Sequence, residues 1–258
     1  MTSIDRLVTP SWPTCAVGAW AAAWKAGHCS PDDVIDMLGP DGYVIDDRTG
    51  RLDASTATTL LPIFRSASAL NVRLPGAGDP QGLPPAPATT AAFEAGEVLL
   101  IDDPATTFAL IPREHDGLIR WTIHEYTTAL PTSPSDSAAE LEYELRQAVS
   151  EAAGLLSTAG PRLRATPADL RNQLRDLTEH LRVDIPPHDD IRVSRILDSA
   201  AQIEAIVTIA HSAGATFGDT SGAHSSGDTE LRRLATLTRR ARAAAVNQLI
   251  SRQLADVH

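Results

Sequence analysis

The chain has 258 residues, 43% of them hydrophobic and 21% charged, with a net charge of −11. That composition fits an ordinary soluble globular protein, long enough for one large domain or two small ones and for a core without staples. An acidic chain is a poor general ligand for nucleic acid, which needs clustered cations to neutralise phosphate, so no DNA partner is expected.

Residues 7–24 carry no formal charge and could pass for a signal or membrane segment. The side chains of residues 1–6 have no net positive charge, however, and Pro10, Ser11, Pro13 and Thr14 interrupt the apolar run. A secretory segment follows a basic start, and a spanning helix wants about 20 mostly apolar residues. The chain therefore reads as cytoplasmic, without a membrane partner. Residues 14–26 predict a helix with Pro13 near its first position and Gly27 as its stop. Val17, Trp20 and Trp24 fall on one face of it. Trp12, Trp20 and Trp24 suit either an aromatic platform or, more commonly, a helix anchored on a sheet. Cys15 and Cys29 flank that helix about 20 Å apart, too far for a bridge. Two cysteines make no zinc site, and free thiols fit a reducing compartment.

Ser30-Pro31-Asp32-Asp33 predicts a second helix start, with Ser30 as cap, Pro31 at the first position and carboxylates at the positive end. Gly39-Pro40 ends it, and a short extended piece follows at 43–45. Residues 53–65 predict a helix capped by Ser55, its second half weakened by Pro62. Leu70, Val72 and Leu74 alternate with polar residues as in a half-buried strand. Residues 76–88 are a loop, and 90–95 one or two helical turns. The runs 97–102 and 108–112 are strands joined by a turn at Asp103-Pro104-Ala105-Thr106. After Asp116-Gly117, Ile119, Trp121 and Ile123 alternate with Arg120, Thr122 and His124, giving a third strand. The prediction is an antiparallel meander with 70–74 as an additional strand.

The character changes at 131–136. All four tryptophans precede it, and Tyr143 and Phe217 are the only aromatics after it. Residues 1–130 carry 8 basic and 16 acidic side chains, and residues 131–258 carry 14 and 17. The basic set is one lysine and 21 arginines, with three asparagines, which reads as a high-GC bacterial coding bias. Four helical stretches follow the connector 131–134. Residues 135–156 carry a stripe through Leu141, Leu145, Ala148, Ala152 and Leu155. A helix capped by Thr166 repeats Leu170, Leu174, Leu177 and Leu181, and Pro186-Pro187 breaks it. Residues 190–213 are apolar around much of their circumference, which puts them centrally. Residues 214–227, rich in glycine and serine, read as a mobile loop, and 228–257 as the last helix. The fold class is α+β: a mixed domain over 1–130, with a small antiparallel meander packed by helices, and an all-α, four-helix bundle-like domain over 135–258, packed against the first.

Chemistry is sparse. Glu204 and His211 share an arc with Val193, Leu197 and Ala200, and His180 of the preceding helix is a possible third member. As a functional group they would form a metal site or an acid/base pair; as a structural one, an ion pair with an arginine. The paired Glu-x-x-His motifs of di-iron bundles are absent, and neither metal nor cofactor is expected. His188-Asp189-Asp190 reads better as a helix cap than as a ligand cluster. In His28-Cys29, adjacent residues rarely face each other, and Cys29 suits a small buried hydrophobe. His124 shares a strand face with Arg120 and Thr122. Arg232, Arg233, Arg239 and Arg240 line one arc of the last helix, where an anionic partner could dock, although a solvated face is commoner. No phosphate loop, dinucleotide fingerprint or nucleophile elbow is present.

The leading expectation is a non-enzymatic cytoplasmic binding, adaptor or regulatory protein whose partner is another protein, with Glu204, His211, His180, Arg232 and Arg239 as candidate contact residues. A metal-dependent or small-molecule enzyme with a site between the two halves is the alternative. The order of helices, antiparallel strands and helices resembles the type VII secretion chaperones of actinobacteria, and a secretion chaperone is the third reading; no residue motif carries that likeness.

Overall fold

The computed structural model describes residues 11–39, 41–51, 57–104, 106–127, 130, 138–159, 167–212 and 221–255. The chain divides into two compact units. One comprises Met1–Ser135, Val183–Asp189 and Val246–His258, the other Asp136–Arg182 and Asp190–Ala245.

The first unit is built on a five-stranded sheet in the order β1-β5-β4-β3-β2. Its strands are β1 (Tyr43–Asp47), β2 (Ala69–Arg73), β3 (Val98–Asp103), β4 (Thr106–His115) and β5 (Leu118–Tyr126). The meander β3-β4-β5 is antiparallel, as its short turns predict, and the additional strand β2 pairs antiparallel with β3. The β4–β5 turn needs two left-handed residues, and Asp116 (φ 54°) and Gly117 (φ 78°) supply them. The correction is β1, which pairs in parallel with β5, Val44 opposite Arg120 and Ile45 opposite Trp121. The sheet is therefore mixed. Five residues of strand carry no sequence signal for their partner; β1 is placed by the Trp121 indole N–H, which donates to the Leu38 carbonyl at 2.7 Å just ahead of it.

Both faces of the sheet carry helices. Val98, Leu100, Ala109, Ile111 and Tyr126 point to one side and pack with Ala88 and Ala92 of α4 (Pro87–Ala95). The other side carries Leu99, Ile101, Leu110, Trp121 and Ile123, all buried. Helix α1 (Pro13–Lys25) reaches it through small residues: a Cβ on Gly18 would stand 3.1 Å from Leu99 and 3.2 Å from Ile250. A side chain there would have to push Leu99 and Ile250 back by a few tenths of an ångström, and α1 is buried nearly all round. Trp20, Trp24 and Lys25 are its half-exposed positions. Trp20 donates to Asp184 at 3.4 Å, and the Arg65 guanidinium lies 4.8 Å from the Trp24 ring centroid. The tryptophan of the core is Trp121. Helix α2 (Pro31–Leu38) starts at the predicted cap Ser30, where Asp33 completes a capping box, and α3 (Ala57–Ser66) contains Pro62. Ser55 lies outside the described residues.

The second unit holds α5 (Ala138–Ala159), α6 (Pro167–His180), α7 (Ile191–Ser212) and most of α8 (Ser221–Ala255), whose residues from Val246 belong to the first unit. Leu141, Leu145, Ala148 and Ala152 of the α5 stripe are buried, and α5 and α6 each pack on α7. Helix α7 buries Val193, Ile196, Ala200, Ile203, Ile206 and Ala210, so its apolar surface runs around the helix as expected. Asp190 caps it, its carboxylate accepting from the amides of Arg192 (3.0 Å) and Val193 (3.1 Å). Helix α8 begins at Ser221 rather than 228. The glycines and serines of 221–227 are weak helix formers but not breakers, and the long helix behind them carries them along. The connector 131–134, Thr166 and residues 213–220 lie outside the described residues.

Candidate functional site

A pocket of about 330 Å³ opens at the head of α1, lined by Trp12, Pro13, Glu94, Ala95, Glu97, Pro112, Arg113, Glu114 and Ile119. Its floor is a helix terminus held from a distance. Helix α1 has no cap from its own Trp12 side chain. Instead Glu97, at the head of β3 and 8% exposed, accepts from the Thr14 amide at 2.9 Å and the Thr14 hydroxyl at 2.6 Å. A carboxylate there satisfies orphan amides and meets the positive helix end. Trp12 sits in the left-handed region (φ 61°, ψ 55°), unusual for a bulky residue, and it lines the pocket. At the rim, Glu94 pairs with Arg113, and Glu114 adds a further carboxylate. The lining therefore offers an aromatic wall, apolar prolines and an excess of negative charge. One Glu97 oxygen already holds α1, and among the described residues the lining has no thiol, imidazole or hydroxyl nucleophile.

The two sheet edges differ. On β2, the Asn247 amide accepts from the Val72 N–H (2.7 Å) and donates to its carbonyl (2.9 Å). Gln81 does the same for Leu74 at 2.9 Å and 2.9 Å. Two side-chain amides thus imitate a further strand and seal that edge. On β1, the Gly42 carbonyl accepts from Ile119 and the Arg48 amide donates to Ile123, so the alternation of a parallel ladder turns the peptide groups of Tyr43, Ile45 and Asp47 outward. No strand among the described residues pairs with that edge.

The sequence candidates fall as follows. The Glu204 carboxylate accepts from the Arg242 guanidinium at 2.6 Å, with side-chain exposures of 22% and 1%. His211 is exposed, and its Nδ1 lies 3.0 Å from the Val207 carbonyl one turn back. His180 ends α6 half-buried. Among the described residues, no three His, Cys, Asp or Glu side chains are grouped to hold a metal. Arg232 is exposed and Arg239 half-buried, and both have partners within the chain. Arg233 of the same arc binds Glu230 and Glu151. The Cys29 thiol donates to the Trp20 carbonyl at 3.6 Å, and burial, then Asp33, pushes it up from the usual thiol range, the reverse of an activated nucleophile. Arg120, Thr122 and His124 share a sheet face, all half-buried. Burial, then Arg48, pushes the His124 imidazole down, against the pull of Asp46. Of the tryptophans singled out in the sequence, Trp12 lines the pocket. Glu97 had no local signal, because its partner Thr14 is 83 residues away.

Among the described residues, no helix is long and apolar enough to cross a membrane. No solved structure gives a significant match to this chain. Two family models match it, described as Rv1486c-like protein, N-terminal domain, over residues 14–138, and Rv1486c-like protein, C-terminal domain, over 139–243. The protein Rv1486c of Mycobacterium tuberculosis is 31% identical over 247 residues, covering 76% of this chain and 82% of the relative. The protein ML1804 of Mycobacterium leprae is 30% identical over 300 residues, covering 92% of this chain and 97% of the relative. Both matches run through most of each sequence, and the chain belongs to the Rv1486c-like family.

Proposed function

We propose that this is a non-enzymatic binding protein of adaptor type that acts in the cytoplasm and engages another protein through the pocket at the head of α1. The supporting observation is the lining: Trp12, Pro13, Pro112 and Ile119 for an apolar stem, and Glu94, Glu97 and Glu114, with Arg113 as the one cation among the described residues, for a positive head. A lysine or arginine side chain has that character, and an aromatic wall adds cation–π attraction. In this reading the helices α5–α8 form a four-helix bundle-like region that serves as scaffold. A secretion chaperone is a narrower form of the same reading, distinguished by whether the captured partner is itself exported.

The experiment is capture from the native host with wild type, Trp12→Ala and Glu114→Lys, alongside fluorescence titration with blocked arginine amide. The expected outcome is a partner held by wild type and lost by both variants at unchanged melting behaviour, with a saturable tryptophan signal in wild type alone. Equal capture by all three proteins, or no response to the arginine probe, refutes the reading.

A further inference from the structure

We propose that the β1 edge is a self-association surface, on which a second copy of this chain pairs its own β1 antiparallel about a two-fold axis at Ile45. This is independent of the pocket. The outward peptide groups belong to Tyr43, Ile45 and Asp47. In an antiparallel ladder, hydrogen-bonded pairs form between residues whose groups both point outward. An axis at Ile45 satisfies this along the whole strand: Tyr43 meets Asp47 of the second copy, Ile45 meets Ile45, and Asp47 meets Tyr43. A two-fold contact is self-complementary, so each pairing occurs twice.

Charge selects the same register. Val44, 38% exposed, and Asp46 lie on the opposite face from the buried Ile45. With the axis at Ile45, Asp46 of the second copy stands beside Val44. An axis at Asp46 would set two carboxylates opposite each other, and one at Val44 would set Asp47 against Asp41; like charges directly opposite are destabilising. On the other side of Val44 lies Arg120, its register neighbour on β5. Arg120 also stands directly opposite Arg113, another unfavourable pairing. Glu94 neutralises Arg113, whereas Arg120 has no carboxylate partner among the described residues. Strands lie about 4.8 Å apart, so Asp46 of the second copy is two spacings from Arg120, a reach that an arginine stem laid over Val44 covers. Arg48, which holds Asp46 at 2.6 Å, would join the pair from the second copy. The contact seals the β1 edge, as Asn247 and Gln81 seal the edge at β2.

The test is sedimentation of the full chain from micromolar to submillimolar concentration, for wild type, Arg120→Glu, Asp46→Arg and the double reversal. A reversible dimer is expected in wild type, at least tenfold weaker in each single variant and restored toward wild type in the double. Restoration cannot come from a folding defect. As a measurement that needs no variant, the amides of Tyr43 and Ile45 should gain hydrogen-exchange protection as concentration rises. A monomer throughout the range, a dimer indifferent to the single reversals, or single losses that the double does not repair overturns the proposal.

Discussion

Breaking the Glu204–Arg242 pair should cost different amounts depending on which partner is removed. Arg242 is fully buried in the middle of α8, whereas the Glu204 side chain is 22% exposed on α7. Two unit charges about 4 Å apart attract by about 4 kcal/mol at an effective permittivity of 20. Desolvating the guanidinium offsets much of that in the intact pair. Glu204→Ala removes the carboxylate that binds this buried cation, and stability should fall by about 3 kcal/mol, the low end for a broken buried pair because the site is open on the glutamate side. Glu204→Gln keeps an acceptor oxygen and should cost about 1–2 kcal/mol. Arg242→Met keeps most of the buried volume and leaves a carboxylate that can turn to water, so its loss should be about 1 kcal/mol. Pairing Arg242→Met with Glu204→Ala should cost less than the two singles together, since the cation that made Glu204→Ala expensive is gone. Urea melts with constant m-values measure all four. A larger loss for Arg242→Met than for Glu204→Ala, or a Glu204→Ala protein as stable as wild type, would refute the reasoning.

Metal analysis of purified protein should find no stoichiometric transition metal in wild type; near one equivalent, lost in both Glu204→Gln and His211→Ala, would make these residues ligands. The fold holds His124 below its ordinary value of 6.5, so the contribution of this group is fully present above that pH and is lost as pH falls through the folded value. Stability of wild type should therefore decline on acidification below about 6.5 more steeply than that of His124→Gln, measured by chemical melts at several pH values. Trp121→Ala should cost about 3–5 kcal/mol, because it empties a core site and orphans the Leu38 carbonyl, and half-exposed Trp20→Ala about 1–2 kcal/mol; reversed costs in a denaturant melt would contradict the packing described. Asn247→Ala should speed hydrogen exchange at the Val72 amide and lower stability by about 1–2 kcal/mol, and unchanged exchange there would mean the β2 edge is not sealed by this side chain.

The sequence alone determined what depends on near neighbours. The cap at Ser30, the left-handed hairpin turn at Asp116-Gly117, the alternation that makes β5 and the leucine stripe of α5 are rules of three to seven residues, and they hold in the fold. The helical signal of α6 and α7 likewise needs no partner to be read. What only the tertiary structure decided are pairings across long stretches of chain. Glu97 with Thr14, Trp121 with Leu38, and Asn247 with Val72 lie 83, 83 and 175 residues apart, and no local pattern encodes them. The parallel partner of β1 belongs to the same class, as does the pocket, whose walls come from α1, α4, β4 and β5. Glu204 stood out in the sequence because a carboxylate on an apolar arc must be satisfied, and that much is periodicity. That an arginine 38 residues away satisfies it depends on how α7 and α8 meet, which helical periodicity leaves open.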